Sequence, residues 1–150
     1  MSPFDWRSFV FARHAQHVVL IHFPIALFIT GVMFDIAAAW WKRVELALAA
    51  FYNFCVAAIA TIPAMATGLF AWQWALEGQR IKATLLLHLL CGAGASLILW
   101  SVCLLGWRSR RTGLSRAAVQ AKFALELLGV GLLGLTGHLG GFLSGVNGGP

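Results

Sequence analysis

Four of the five histidines in this 150-residue chain lie in long hydrophobic stretches, at His17, His22, His88 and His138. Imidazole is a ligand for haem iron, copper and zinc, and it can also transfer protons. Ionisable side chains inside a membrane are costly, so each of these histidines marks a candidate functional site. All four lie within the outer third of their stretches, and we expect them near the same membrane face.

The composition indicates a membrane protein. Hydrophobic residues make up 60% of the chain and charged residues 11%, and the mean hydropathy is +0.81, values that exclude an ordinary soluble domain. Four apolar stretches each reach the roughly 20 residues needed to cross a hydrocarbon core of about 30 Å. We therefore predict an all-α integral membrane bundle, a single domain of residues 1–150 with transmembrane helices at about 18–41, 45–75, 82–107 and 117–143.

The N-terminal residues 1–13 combine four aromatic side chains with polar ones. This pattern predicts a short interfacial segment lying on the membrane. The same residues lack the basic, apolar and small-residue progression of a cleavable signal peptide, so we expect none to be removed. The three cysteines fall inside the predicted spans, so we expect no disulfide framework outside the membrane.

The net charge of +6 comes from Lys and Arg at the ends of the predicted helices. Basic residues in such places anchor the chain to lipid headgroups, so we expect membrane lipid as a partner and no nucleic acid. Six of them flank the loops at 42–43 and 108–116, against four on the other side. The positive-inside rule then places these loops in the cytoplasm. Both termini and the histidines would face the periplasm, in a multi-pass protein of the inner membrane.

The depth of each histidine follows from the helical rise. On this arithmetic His22, His88 and His138 lie about 8–10 Å below the outer interface, and His17 lies about 7 Å shallower. His17 also points about 140° away from His22 around the first helix. We expect His22, His88 and His138 to form one layer, with His17 serving a shallower ligand or facing the headgroups.

Small residues surround two of these histidines. The third helix has one narrow face of small and polar side chains around its histidine, formed by Thr84, His88, Gly92 and Ser96. The fourth has glycines at three-residue spacing, at Gly131, Gly134, Gly137 and Gly140. Such glycines let helices approach closely, or they make room for a flat ring pressed against the backbone.

Paired imidazoles on facing helices of a bundle favour a bound haem b. We predict one haem b on two of His22, His88 and His138, and a second if His17 completes another pair. Because the chain lacks C-x-x-C-H, covalent attachment of the haem is excluded. Such a haem could pass electrons between membrane quinol and a periplasmic c-type cytochrome or dehydrogenase. That predicts an electron-transfer or accessory subunit rather than a stand-alone enzyme.

Two alternatives remain open. The same histidines could hold copper or zinc. The chain could instead be a non-catalytic structural subunit of a larger membrane complex, or a homo-oligomer, with its glycine and tryptophan faces against partner helices. A transporter is disfavoured, because the sequence shows no inverted repeat and no pair of broken helices.

A second polar set, Asp35, Asn53 and Glu126, falls in the cytoplasmic half of the predicted spans. Lys122 and Glu126 are i, i+4 neighbours, which predicts an ion pair near the helix end. A proton path through these residues is the alternative.

The block from His17 to Leu27, HVVLIHFPIAL, followed by Asp35, resembles the opening pattern of the family called domain of unknown function 2231. Further similar blocks lie at 67–72, 83–88 and 137–141, and the likeness spans about 14–149. Val18 and Ala71 replace a proline and an aspartate usual in that family, and residues 142–144 also depart from its pattern. All four histidine positions are kept. The resemblance implies a four-helix membrane domain loosely associated with c-type cytochromes and respiratory chemistry.

Overall fold

The structure, a computed structural model, describes residues 13–75 and 83–145. They form four helices, α1 Arg13–Trp41, α2 Val44–Ala75, α3 Ala83–Thr112 and α4 Arg116–Leu143. Each helix is long and apolar enough to cross a membrane, and the described residues contain no strand. The predicted all-α membrane bundle with four spans is confirmed. The interfacial segment expected at the N-terminus lies outside the described residues.

Two short loops close one end of the bundle. Lys42 between α1 and α2 has a φ of 55°, and Gly113 after α3 has a φ of 73°, a conformation that glycine adopts without a steric penalty. Ser115 caps α4, its hydroxyl oxygen accepting the Ala118 N–H at 3.2 Å. We call this the basic end, after its charged residues Lys42, Arg43, Arg108, Arg110, Arg111 and Arg116. The opposite end is the histidine end.

Helix α3 continues to Thr112, beyond the end predicted at 107. Hydropathy marks where the apolar residues stop, whereas arginine is itself a good helix former. Two of these arginines also lie over aromatic rings, Arg110 at 5.2 Å from the Phe51 centroid and Arg111 at 4.5 Å from that of Trp107.

The apolar core fills the middle and the basic half of the bundle. Phe28 and Phe54 are fully buried there, with ring centroids 5.4 Å apart. Each ring lies against a glycine, since a Cβ on Gly129 or Gly31 would stand 2.7 Å from Phe28 or Phe54 respectively. Helix α1 packs mainly on α2, and α3 on α4; the two hairpins meet through α2 and α3, while α1 and α4 touch only slightly. This arrangement leaves room between the helices toward the histidine end.

Large apolar side chains cover the outside of the bundle, among them Val56, Ile59, Ile62, Leu97 and Leu104, each at least half exposed. Such a surface is unfavourable in water and matches the hydrocarbon of a bilayer.

Candidate functional site

A cavity of about 510 Å³ lies among the four helices in the histidine half. Its volume falls within the range of about 300–1,000 Å³ typical of cofactor and small-molecule sites. The walls are mostly apolar, and each of the four helices adds at least one polar side chain to them: His17, Thr61, His88, Ser96 and Thr136. Every helix contributes to the lining, so the cavity lies between the helices, and it is partly open where exposed residues such as Leu69 and Ser144 line it.

His17 reaches the cavity from α1 and is half-buried. Its Nδ1 lies 3.0 Å from the Ala64 carbonyl oxygen of α2 and 3.3 Å from the Thr67 hydroxyl oxygen. A carbonyl oxygen can only accept, so Nδ1 carries the hydrogen and donates it. In the neutral ring, the lone pair that could bind a metal is then on Nε2.

His88 reaches the cavity from α3 with the same arrangement. Its Nδ1 donates to the Thr136 carbonyl oxygen of α4, at 3.0 Å. Histidines that bind metals usually donate their other ring N–H to a carbonyl or carboxylate, which sets the tautomer and the ring orientation. Both cavity histidines therefore have the Nδ1 hydrogen bond to a carbonyl oxygen that is typical of metal-binding histidines.

The two imidazoles lie close together. Their ring centroids are 6.5 Å apart and their planes are at 87°. Metal–nitrogen bonds of about 2.0–2.1 Å on opposite sides of one ion put two imidazole centroids about 6–7 Å apart. The spacing of His17 and His88 thus suits two ligands of one metal ion.

His22 and His138 do not join this pair. Neither is among the described residues that line the cavity, and both are exposed on the bundle surface. The Nδ1 of His22 lies 2.6 Å from the Val18 carbonyl oxygen of its own helix. The ring of His138 stands edge-on to Phe142, with centroids 5.0 Å apart.

In the structure the imidazole near His88 is therefore that of His17. The depths calculated from the helical rise had instead grouped His88 with His22 and His138. Depth along a helix does not fix which face turns inward, and α1 presents His17 to the bundle. Helix α4 presents Gly137 and Gly140 to the cavity instead of His138. In the part of the chain that the structure describes, no three His, Cys, Asp or Glu side chains are grouped so that they could hold a metal ion.

Two glycines hold the histidine rings against helix backbones. A Cβ on Gly68 of α2 would stand 2.9 Å from the His17 Cε1, and one on Gly140 of α4 would stand 3.2 Å from the His88 Cε1. At Gly131, Gly134 and Gly137 a Cβ would meet no described atom within 4 Å. In the glycine stripe of α4, the flat ring that needs the space is the imidazole of His88.

Three of the four residues on the small polar face of α3 line the cavity, His88, Gly92 and Ser96, whereas Thr84 is not among the lining residues. The partners that orient the histidines could not be predicted, because two of the three acceptors are backbone carbonyls. Thr67 could have been noticed, since it lies beside Gly68 in a block that resembles the family pattern.

The second polar set forms a cluster in the basic half. Lys122 Nζ lies 2.5 Å from Glu126 Oε1, which confirms the predicted i, i+4 ion pair, and 2.8 Å from Asp35 Oδ2 on α1. The cluster therefore joins α1 to α4, which otherwise touch only slightly. Asn53 is not part of it; its amide donates to the Ala49 carbonyl oxygen at 2.9 Å.

Comparison with known sequences places this architecture in a family. No curated protein and no solved structure matches the chain. The sequence pattern of the family described as "Predicted membrane protein (DUF2231)" matches residues 13–148, a segment that includes the four helices and all four membrane histidines. The chain belongs to the DUF2231 family of predicted membrane proteins.

Proposed function

We propose that the protein is an electron-transfer protein similar to b-type cytochromes, in which His17 and His88 would hold one haem b in the cavity. The observation that supports this most is the pair itself: two imidazoles 6.5 Å apart, each with Nδ1–H donated to a backbone carbonyl. Two histidines from facing helices of a bundle are a common way to hold haem b.

The rest of the cavity suits a flat, apolar group. Its walls are mainly aliphatic, and Gly92 and Gly137 leave parts of the lining without side chains. Bound haem supplies a one-electron couple whose potential depends on axial ligands, hydrogen bonds and burial. The chain's own residues hold and orient it: Ala64 and Thr136 keep the Nδ1–H of both ligands engaged, which makes the ligand rings more basic.

The proposed setting is the inner membrane of a bacterium. The six basic residues at one end favour that end as cytoplasmic by the positive-inside rule. The cavity would then lie near the periplasmic face, between membrane quinol as electron donor and a periplasmic c-type cytochrome or dehydrogenase as partner. We propose one haem rather than two, because the exposed His22 and His138 lie away from the cavity lining.

The test is to purify the protein from membranes of cells supplied with haem, and to record absorption spectra before and after reduction with dithionite. The proposal predicts a Soret band, a sharp α band on reduction and one iron per chain. Elemental analysis of the same sample measures copper and zinc, the other candidate metals. A colourless protein without iron would contradict the proposal, and one copper or zinc per chain in its place would assign the histidines to a bare metal ion.

A further inference from the structure

Glu126 is a carboxyl group inside the membrane domain. It lies on α4 ten residues from Arg116, about 15 Å from the basic end of the helix by the helical rise. The residue is fully buried. Its Oε1 accepts from Lys122 at 2.5 Å, whereas its Oε2 has no hydrogen-bond partner among the described residues.

The groups that face Glu126 carry few charges. Lys122 lies on its own helix and Asp35 faces the cluster from α1, with side-chain exposures of 12% and 26%. On the α2 side the Lys122 ammonium lies 5.1 Å from the Phe54 ring centroid, and the buried α3 residues of the core are apolar. No other described residue forms an ion pair with the cluster.

With all three groups ionised, one ammonium would stand against two carboxylates, leaving one excess negative charge in an apolar core. Part of that charge would lie on Glu126 Oε2, to which no described group donates a hydrogen bond. Burial of a charge without such a partner is strongly unfavourable. One proton on Glu126 removes the excess. The remaining Lys122–Asp35 ion pair is then balanced, and the neutral carboxyl group is far less costly to bury.

We propose that the Asp35–Lys122–Glu126 cluster is a proton-binding site, in which Glu126 Oε2 holds an exchangeable proton at neutral pH. The step is the addition of one proton to the Glu126 carboxylate, and its reverse; no electrons move. Asp35 is the most exposed of the three side chains and lies six residues from Trp41 at the end of α1. The proposed route of this proton runs past Asp35 to the basic end.

Glu126 lies outside the lining of the histidine cavity, and the nearest lining residue on its helix, Leu133, is about 10 Å further along. Protonation of Glu126 and occupancy of the cavity by haem can thus be tested separately.

The test is infrared spectroscopy of the protein in lipid, with isotope labelling. The chain has only three glutamates, Glu45, Glu77 and Glu126. In a chain with Glu45→Gln and Glu77→Gln, grown with glutamate carrying ¹³C at the side-chain carboxyl, Glu126 is the one labelled carboxyl group. We expect a carboxylic-acid C=O band at neutral pH that shifts with ¹³C and with D₂O, and that converts to carboxylate bands as the pH rises. Because Glu126 itself is unchanged, the test does not depend on a variant that disturbs the core.

Glu45 provides the matched control. It is exposed and paired with Arg43 at 3.2 Å, so in a chain with Glu77→Gln and Glu126→Gln it should show carboxylate bands alone at neutral pH. Labelled Glu126 that shows carboxylate bands alone from mildly acid to neutral pH would overturn the proposal. Carboxylate bands that shift when Na⁺ or K⁺ is added would overturn it as well, and would make the cluster a cation site.

Discussion

Gly68 and His17 lie so close together that a Cβ on the glycine would stand 2.9 Å from Cε1 of the imidazole. Gly140 and His88 repeat the arrangement at 3.2 Å. Each histidine that lines the cavity is thus fixed on one side by a hydrogen bond to a carbonyl oxygen and on another by bare helix backbone. The positions of the two Nε2 atoms depend on these contacts.

Gly68→Ala should weaken haem binding, because the added methyl group must push the His17 ring from its place. Overpacking of this kind costs about 1–3 kcal/mol, so we expect the dissociation constant for haem to rise by about tenfold or more. The measurement is a haem titration of the purified apoprotein, followed by the Soret band. Gly131→Ala is the matched control, since its Cβ would meet no described atom within 4 Å. Equal affinities in the two variants would contradict the proposed role of Gly68.

Lys122→Met should destabilise the bundle strongly. It leaves the Asp35 carboxylate without its cation and Glu126 Oε1 without its hydrogen-bond donor, and removal of one partner of a buried ion pair costs about 3–5 kcal/mol. The measurement is thermal unfolding in detergent. Adding Asp35→Asn and Glu126→Gln to the same chain should restore most of the loss, because no unpaired charge is then buried. Arg43→Ala breaks the exposed pair with Glu45 and should cost less than about 1 kcal/mol. A Lys122→Met loss as small as that of Arg43→Ala would show that the cluster is solvated.

Cys55 of α2 and Cys103 of α3 should be readily cross-linked. Their Sγ atoms are 2.8 Å apart, and both lie on the interface through which the two hairpins meet. A membrane-permeant oxidant should therefore join Cys55 and Cys103 in a disulfide, and these two thiols should no longer react with a permeant maleimide. The mass of the protein should then increase by one maleimide, for Cys91, instead of three. Cys91→Ala should still form the cross-link, whereas Cys103→Ala should not. Alkylation of all three thiols after oxidation would mean that α2 and α3 pack in another register.

The four helices could be predicted from the sequence because hydropathy and span length are local properties. The pairing of the histidines could not be predicted, since it depends on how each helix is rotated within the bundle. Helical spacing showed that His17 and His22 point in different directions, but not which of them faces inward. The ion pair of Lys122 with Glu126 was predictable from i, i+4 spacing; the contact with Asp35, 87 residues away in the chain, was not.

The most direct test of haem ligation compares four single substitutions, His17→Ala, His22→Ala, His88→Ala and His138→Ala, in protein purified with haem supplied. His17→Ala and His88→Ala should each lose the low-spin reduced α band, because each removes one axial ligand from the cavity. His22→Ala and His138→Ala should keep the band and one haem per chain, because both residues lie outside the described lining. Retention of the α band in both His17→Ala and His88→Ala, or its loss in His22→Ala or His138→Ala alone, would contradict ligation by the cavity pair.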